Sequence, residues 1–107
     1  MSIDATPGEV WMVDFGLIAK QRPVLVLAFP QPQDARALVV VVPLTSQQRG
    51  LRGEVDIGKP RWLPKHSSVN VQGLASIDQN ALLRKLGRLP DSQFQMVKTA
   101  IRDLLNL

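Results

Sequence analysis

Arg22 stands directly against Pro23 at the mouth of one apolar run, RPVLVLAF, and Thr45 and Ser46 close another, ALVVVVPLTS. A guanidinium stays charged at any ordinary pH and is costly to bury unpaired. Pro23 pushes Arg22 into extended geometry and is itself confined to the first position or the edge of a strand. Arg22 is therefore either a solvated charge that blunts a strand end or a planar fork that grips an anion with two parallel N–H bonds. Thr45 and Ser46 offer hydroxyls that can bond an anion's oxygens, or that can bond the local backbone of a turn. Neither residue type is an ordinary general base near neutral pH, so the chemistry open to this set is charge stabilisation and proton relay.

Other reactive side chains are sparse. His66 is the single histidine, in the basic loop PKHSS, and reads first as an exposed loop residue. With one histidine and no cysteine, only scattered carboxylates remain, and neither a metal site nor a cofactor is expected. Arg49, Arg52, Lys59, Arg61 and Lys65 outnumber Glu54 and Asp56 across the middle of the chain. That stretch is either a solvated surface or a cationic rim that tracks a polyanion, with Trp62 available for stacking.

The elements that must hold these residues are short. GEVWMVDF (8–15) and RPVLVLAF (22–29) read as strands, separated by the connector GLIAKQ (16–21). ALVVVVPLTS (37–46) is rich in β-branched residues and apolar on both faces, which suits a central strand, with Pro43 expected to end regular pairing or mark a bulge. EVDIG, SSVNVQ, LASID and LLRKLGRL follow as further short strands. The closing segment PDSQFQMVKTAIRDLLNL sets Phe94, Val97, Ile101, Leu104 and Leu105 at helical spacing, a stripe that packs on the sheet. Many short strands and one terminal helix predict an α+β, mostly β fold, a small barrel of curved antiparallel strands with a packed helix. The 107 residues form a single domain, and an apolar fraction of 45% supports a core. No apolar run reaches the ~20 residues of a membrane span, and no secretory leader is visible. The expected setting is the reducing cytoplasm, away from membranes. A net charge of +4 and a pI near 10.1 favour a polyanionic partner.

In order and nearly end to end, PGEVWMVDF, RPVLVL, VVVVPLTS, SSVNVQGLASID, LLRKLGRL and the closing helix resemble the MazF/PemK family. These are homodimeric toxins of toxin–antitoxin pairs, with the SH3-like barrel shared by MazF, Kid and CcdB. The resemblance implies a sequence-specific, metal-independent endoribonuclease that cuts single-stranded mRNA and blocks translation and growth. It also implies a cognate antitoxin whose acidic, disordered tail covers the cleft. It assigns Arg22 and Thr45, with Ser46 beside them, to the catalytic site at neighbouring strand ends. RNA supplies its own nucleophile, the 2′-OH, so cleavage leaves a 2′,3′-cyclic phosphate and a 5′-OH. The enzyme then needs to align that hydroxyl, stabilise charge on the phosphate and protonate the leaving oxygen.

On the nuclease reading, the candidate RNA contacts are Lys20, Gln21, Arg49, Arg52, Arg61, Trp62, Lys65, His66, Asn70, Gln72 and Ser76, with the mid-chain cations and Trp62 drawn from the basic stretch and not from the family pattern. The chain also departs from the family. The first loop is short and carries Lys20 and Gln21 where relatives often have a Glu or His. Ala75-Ser76-Ile77-Asp78 stands where Arg-Thr-Ile-Asp is common, and Asn70 and Gln72 match an Arg and an Asp that some relatives use in catalysis. Two alternatives follow. One is a gyrase-binding toxin like CcdB, whose activity depends on a C-terminal Trp-Gly-Ile, whereas this chain ends RDLLNL. The other is a catalytically weak or inactive member that acts by binding.

Overall fold

The computed structural model describes residues 4–16, 21–35 and 37–107. Seven strands, β1 (Glu9–Asp14), β2 (Gln21–Ala28), β3 (Leu38–Thr45), β4 (Glu54–Gly58), β5 (Ser67–Asn70), β6 (Ala75–Asp78) and β7 (Leu82–Arg88), precede one helix, α1 (Asp91–Leu105). The strands pair antiparallel in the order β4-β5-β3-β2-β1-β7, and β6 pairs with β3 off that path. The mostly β architecture with a terminal helix is as expected, but the ladder does not close. It ends at β4 on one side and β7 on the other. Among the described residues, no helix is long and apolar enough to cross a membrane.

Alternation along β1, β2 and β3 explains how so small a chain buries so much. Successive side chains point to opposite faces of a strand. Leu25 and Val42 face one side, into a cluster with Val10, Val55, Val69, Val71, Phe94 and Val97. Val24, Val26, Val39 and Val41 face the other, with Trp11, Val13 and Leu82. The first cluster is enclosed by β4, β5 and α1; both faces of the central strands are thus dry. Each fully buried valine or leucine contributes about 1.5–3 kcal/mol of transfer free energy, which makes these central strands the most rigid part of the chain.

Pro43 does not end β3. The strand runs on through Leu44 and Thr45, and Pro43 pairs with Val24 of β2. On its other side β3 changes partner here: Leu38–Val41 pair with β6, and Leu44–Thr45 pair with β5. A residue with no N–H suits a changeover where no acceptor faces it. On α1, Phe94 and Val97 are buried and Ile101 and Leu104 pack partly against the core. Leu105, expected in the same stripe, is 51% exposed, while its neighbour Leu104 takes the core-facing place in the last turn.

Trp62 is likewise anchored by packing. It lies against the first cluster, with its ring on Gly87 of β7, where any Cβ would collide with the indole. A charged anchor sits at the start of β1. Glu9 is 8% exposed. Its carboxylate accepts the Thr6 N–H at 2.9 Å and the Trp11 Nε1–H at 3.1 Å, and pairs with Lys85 Nζ at 3.0 Å. Burial alone would raise its pKa, but the Thr6 backbone bond, Lys85 and Trp11 together outweigh it and hold the group at about 2.

Candidate active site

β2 is the middle strand of three, and its first residues set the floor of a cleft. β1 pairs Val13 with Arg22 and Asp14 with Gln21. On the other side Val24 pairs with Pro43, and carrying that register two residues further brings Arg22 across from Thr45. The two side chains belong to the same face of the sheet, since each is two positions from a paired residue. Gln21, Arg22 and Pro23 line the cleft together with Leu44, Thr45 and Ser46. Its remaining walls come from the loop after β3, the start of β4, the β4–β5 loop and β5. The open cleft has a volume of about 590 Å³, room for a nucleotide-sized segment.

Arg22 is exposed in this cleft. The ion pairs among the described residues join Arg52 to Asp103, His66 to Asp56 and Lys85 to Glu9, so none of them involves Arg22. Its fork is available to an incoming anion. Thr45 Oγ1 accepts the Gln47 N–H at 3.0 Å, the local turn bond that its sequence context allowed. The same hydroxyl donates to the Gln47 carbonyl at 3.4 Å, a long bond that a better-placed phosphate oxygen in the cleft can replace. Three cations, Arg22, Arg49 and Lys65, line the cleft against one carboxylate, Glu54. The field there favours a negatively charged ligand.

The sequence-derived set divides clearly. Arg22, Thr45, Ser46, Gln21, Arg49, Lys65 and Asn70 are brought together in the cleft. Lys20 lies outside the described residues. Arg52, Arg61, Trp62, His66, Gln72 and Ser76 do not line it. Arg52 turns to the end of α1, where its Nη2 donates to the Asp103 carbonyl at 3.1 Å. Trp62 is not an open stacking platform, since Gly87 and the core take its faces. His66 Nε2 is 2.6 Å from Asp56 Oδ1 in an exposed pair. The Gly58 backbone N–H, followed by His66, holds the Asp56 carboxyl below the usual carboxylate range. Gln72 Nε2 donates to the Arg52 carbonyl, and Ser76 sits on β6 opposite Val40.

Among the cleft residues not singled out from the sequence are Gln47 and Glu54. Gln47 holds the Arg49 guanidinium through its Oε1 at 2.8 Å. Glu54, half-buried, accepts the backbone N–H groups of Arg49 at 3.2 Å and Leu51 at 3.3 Å. The available signal was the pair Gly50 and Gly53, both at positive φ. Glycines so spaced mark a tight loop whose backbone N–H groups need an acceptor, and Glu54 is the next residue.

Comparison with known proteins agrees with this fold. The model for the PemK-like, MazF-like toxin of type II toxin–antitoxin systems matches residues 6–105. The Probable endoribonuclease MazF5 of Mycobacterium tuberculosis is 36% identical over 99 residues, covering 88% of this chain and 86% of that one. The solved structure of the Mycobacterium tuberculosis toxin MazF-mt6 superposes with a TM-score of 0.75 at 29% identity, over 92% of this chain and 97% of that one. An endoribonuclease solved in complex with its cognate antitoxin, from a mycobacterial species, shares the fold with a TM-score of 0.81 at 24% identity, over 97% of each chain.

Proposed function

Since this chain belongs to the PemK-like, MazF-like toxin family of type II toxin–antitoxin systems, we propose that it is an endoribonuclease toxin that cuts single-stranded RNA in the cytoplasm. The observation that carries this reading is the Arg22 fork, in no ion pair among the described residues, in register across from Thr45 in an electropositive cleft. The RNA 2′-OH attacks its own phosphorus and gives up its proton to solvent. The bond from phosphorus to the 5′ oxygen breaks, and that oxygen takes up a proton as it leaves. The products are a 2′,3′-cyclic phosphate and a 5′-OH. Arg22 binds the non-bridging oxygens and stabilises the charge that builds on them, while Thr45 donates its hydroxyl proton to the same phosphate. Gln21, Asn70, Lys65 and Arg49 line the path of the flanking nucleotides. The protein acts as a homodimer, and its antitoxin blocks the same cleft with an acidic segment, for which the surplus of cations is a suitable counterpart.

The test is cleavage of a defined RNA by the purified protein in EDTA. The expected result is discrete fragments with 2′,3′-cyclic phosphate ends from the natural sequence and none from Arg22→Ala. Cutting that depends on added metal, or that persists unchanged in Arg22→Ala, overturns the assignment.

A further inference from the structure

A carboxylate lining a cleft built for phosphate is a cost unless it does something else. Glu54 would repel the backbone of an RNA strand if its charge faced the cleft freely. Instead both oxygens turn to the loop after β3. The Arg49 N–H lies 3.2 Å from Oε1 and 3.3 Å from Oε2, and the Leu51 N–H lies 3.3 Å from Oε1. Its own N–H donates back to the Leu51 carbonyl at 3.1 Å, so the turn is closed at both ends. The loop is fixed from the other side by Thr45 Oγ1, which accepts the Gln47 N–H. Gln47 Oε1 in turn holds the Arg49 guanidinium at 2.8 Å. A guanidinium has five N–H donors, so one bond to Gln47 orients it and leaves the rest for a ligand.

We propose that Glu54 is a positioning residue: by folding the Gln47–Leu51 loop it holds Arg49 as a second phosphate contact beside Arg22. This rests on the reading that the cleft takes RNA. The scissile phosphate meets Arg22 and a neighbouring phosphate meets Arg49, so the strand is gripped at two points along its backbone. On this proposal Glu54 acts through the loop it folds and not by proton transfer, since the Arg49 and Leu51 N–H groups draw its carboxylate toward the loop.

Steady-state cleavage of one RNA oligonucleotide separates the possibilities, measured across pH and salt for wild type, Glu54→Ala, Glu54→Gln, Arg49→Ala and the Glu54→Ala/Arg49→Ala double variant, with thermal melts to confirm folding. Glu54→Ala is expected to raise KM about tenfold, the scale of one charge-assisted bond, with kcat changed less than about threefold. The slope of log KM against log salt should fall by about 0.7, one lost phosphate contact on a single strand. The double variant should match Arg49→Ala, since both remove the same contact. Glu54→Gln keeps an acceptor oxygen for the loop and should stay closer to wild type than Glu54→Ala. A collapse of kcat in Glu54→Gln with loss of the acid limb of the pH profile makes Glu54 a general base and overturns the proposal. So does an unchanged KM in a folded Glu54→Ala, or fully additive effects in the double variant. A wild-type chain that leaves RNA uncut overturns the underlying reading instead. Should Glu54→Ala fail to fold, the Glu54→Gln comparison and a Gln47→Ala variant, expected to reproduce the Arg49→Ala salt slope, decide the matter.

Discussion

Glu9 and Arg22 are both charged residues near the ends of central strands, yet their surroundings are opposite. Glu9 is nearly enclosed and holds three partners from the preceding turn, its own strand and β7. Arg22 is exposed, lines a cleft and takes part in none of the ion pairs among the described residues. The difference separates a charge that holds the fold from a charge kept open for a ligand. A satisfied charge stabilises what surrounds it, whereas a cation held in a cleft without a partner keeps its interaction energy for whatever enters.

The largest effect that sharpens this contrast is on catalysis. Arg22→Ala should lower kcat/KM about 10³-fold while leaving the melting temperature nearly unchanged. A variant that melts early and still cuts would move Arg22 to the structural side. The mirror experiment is Glu9→Ala. It leaves Lys85 and the Trp11 N–H without their shared acceptor and should destabilise the chain by about 3 kcal/mol, roughly 13 °C in Tm, with cleavage per folded molecule unaltered.

The same residue sets a pH window. The Glu9 pKa is lowered on folding from 4.5 to about 2. Its contribution is therefore complete above pH 4.5 and is lost progressively as pH falls toward 2, with a ceiling of about 3 kcal/mol. Urea titrations at pH 6 and pH 3 should show this loss in wild type and not in Glu9→Gln. Thr45 comes next. Thr45→Ala should reduce kcat/KM some tenfold and Thr45→Ser should restore most of it, because only the hydroxyl is used. The smallest effect is expected at the exposed pair. Asp56→Asn should change neither the melting temperature nor cleavage, and a substantial loss of either would show that His66 has a task beyond its surface ion pair.

Most of the fold was legible because it depends on local patterns. The runs around Val10–Val13, Val24–Leu27 and Val39–Val42 have the length and composition of strands, and the spacing of Phe94, Val97 and Ile101 describes the helix. Pro23 fixed the extended geometry of Arg22 locally, but whether that charge was a solvated strand end or a ligand grip stayed open until the whole family pattern was read, and the structure sets it in the cleft. What escaped was decided by distant partners. Pro43 looked like a terminator because nothing nearby reveals that β3 trades β6 for β5 at that point. Trp62 looked like a stacking surface because its cover, Gly87, lies on another strand. Glu54 looked like one more surface charge, since its role depends on how the preceding loop folds back over it. Arg52 counted with the cations until the end of α1 claimed it.

The seat of Trp62 on Gly87 reaches further than packing. Leu63, Pro64 and Lys65, the residues that follow the indole, form one wall of the cleft. A single methyl group at position 87 would lift the ring and lever that wall out of place without touching the RNA path. A genetic selection for cells that survive expression of this protein should therefore recover changes at Gly87 alongside those at Arg22. The Gly87 survivors would keep an intact Arg22 in a cleft that has lost its shape.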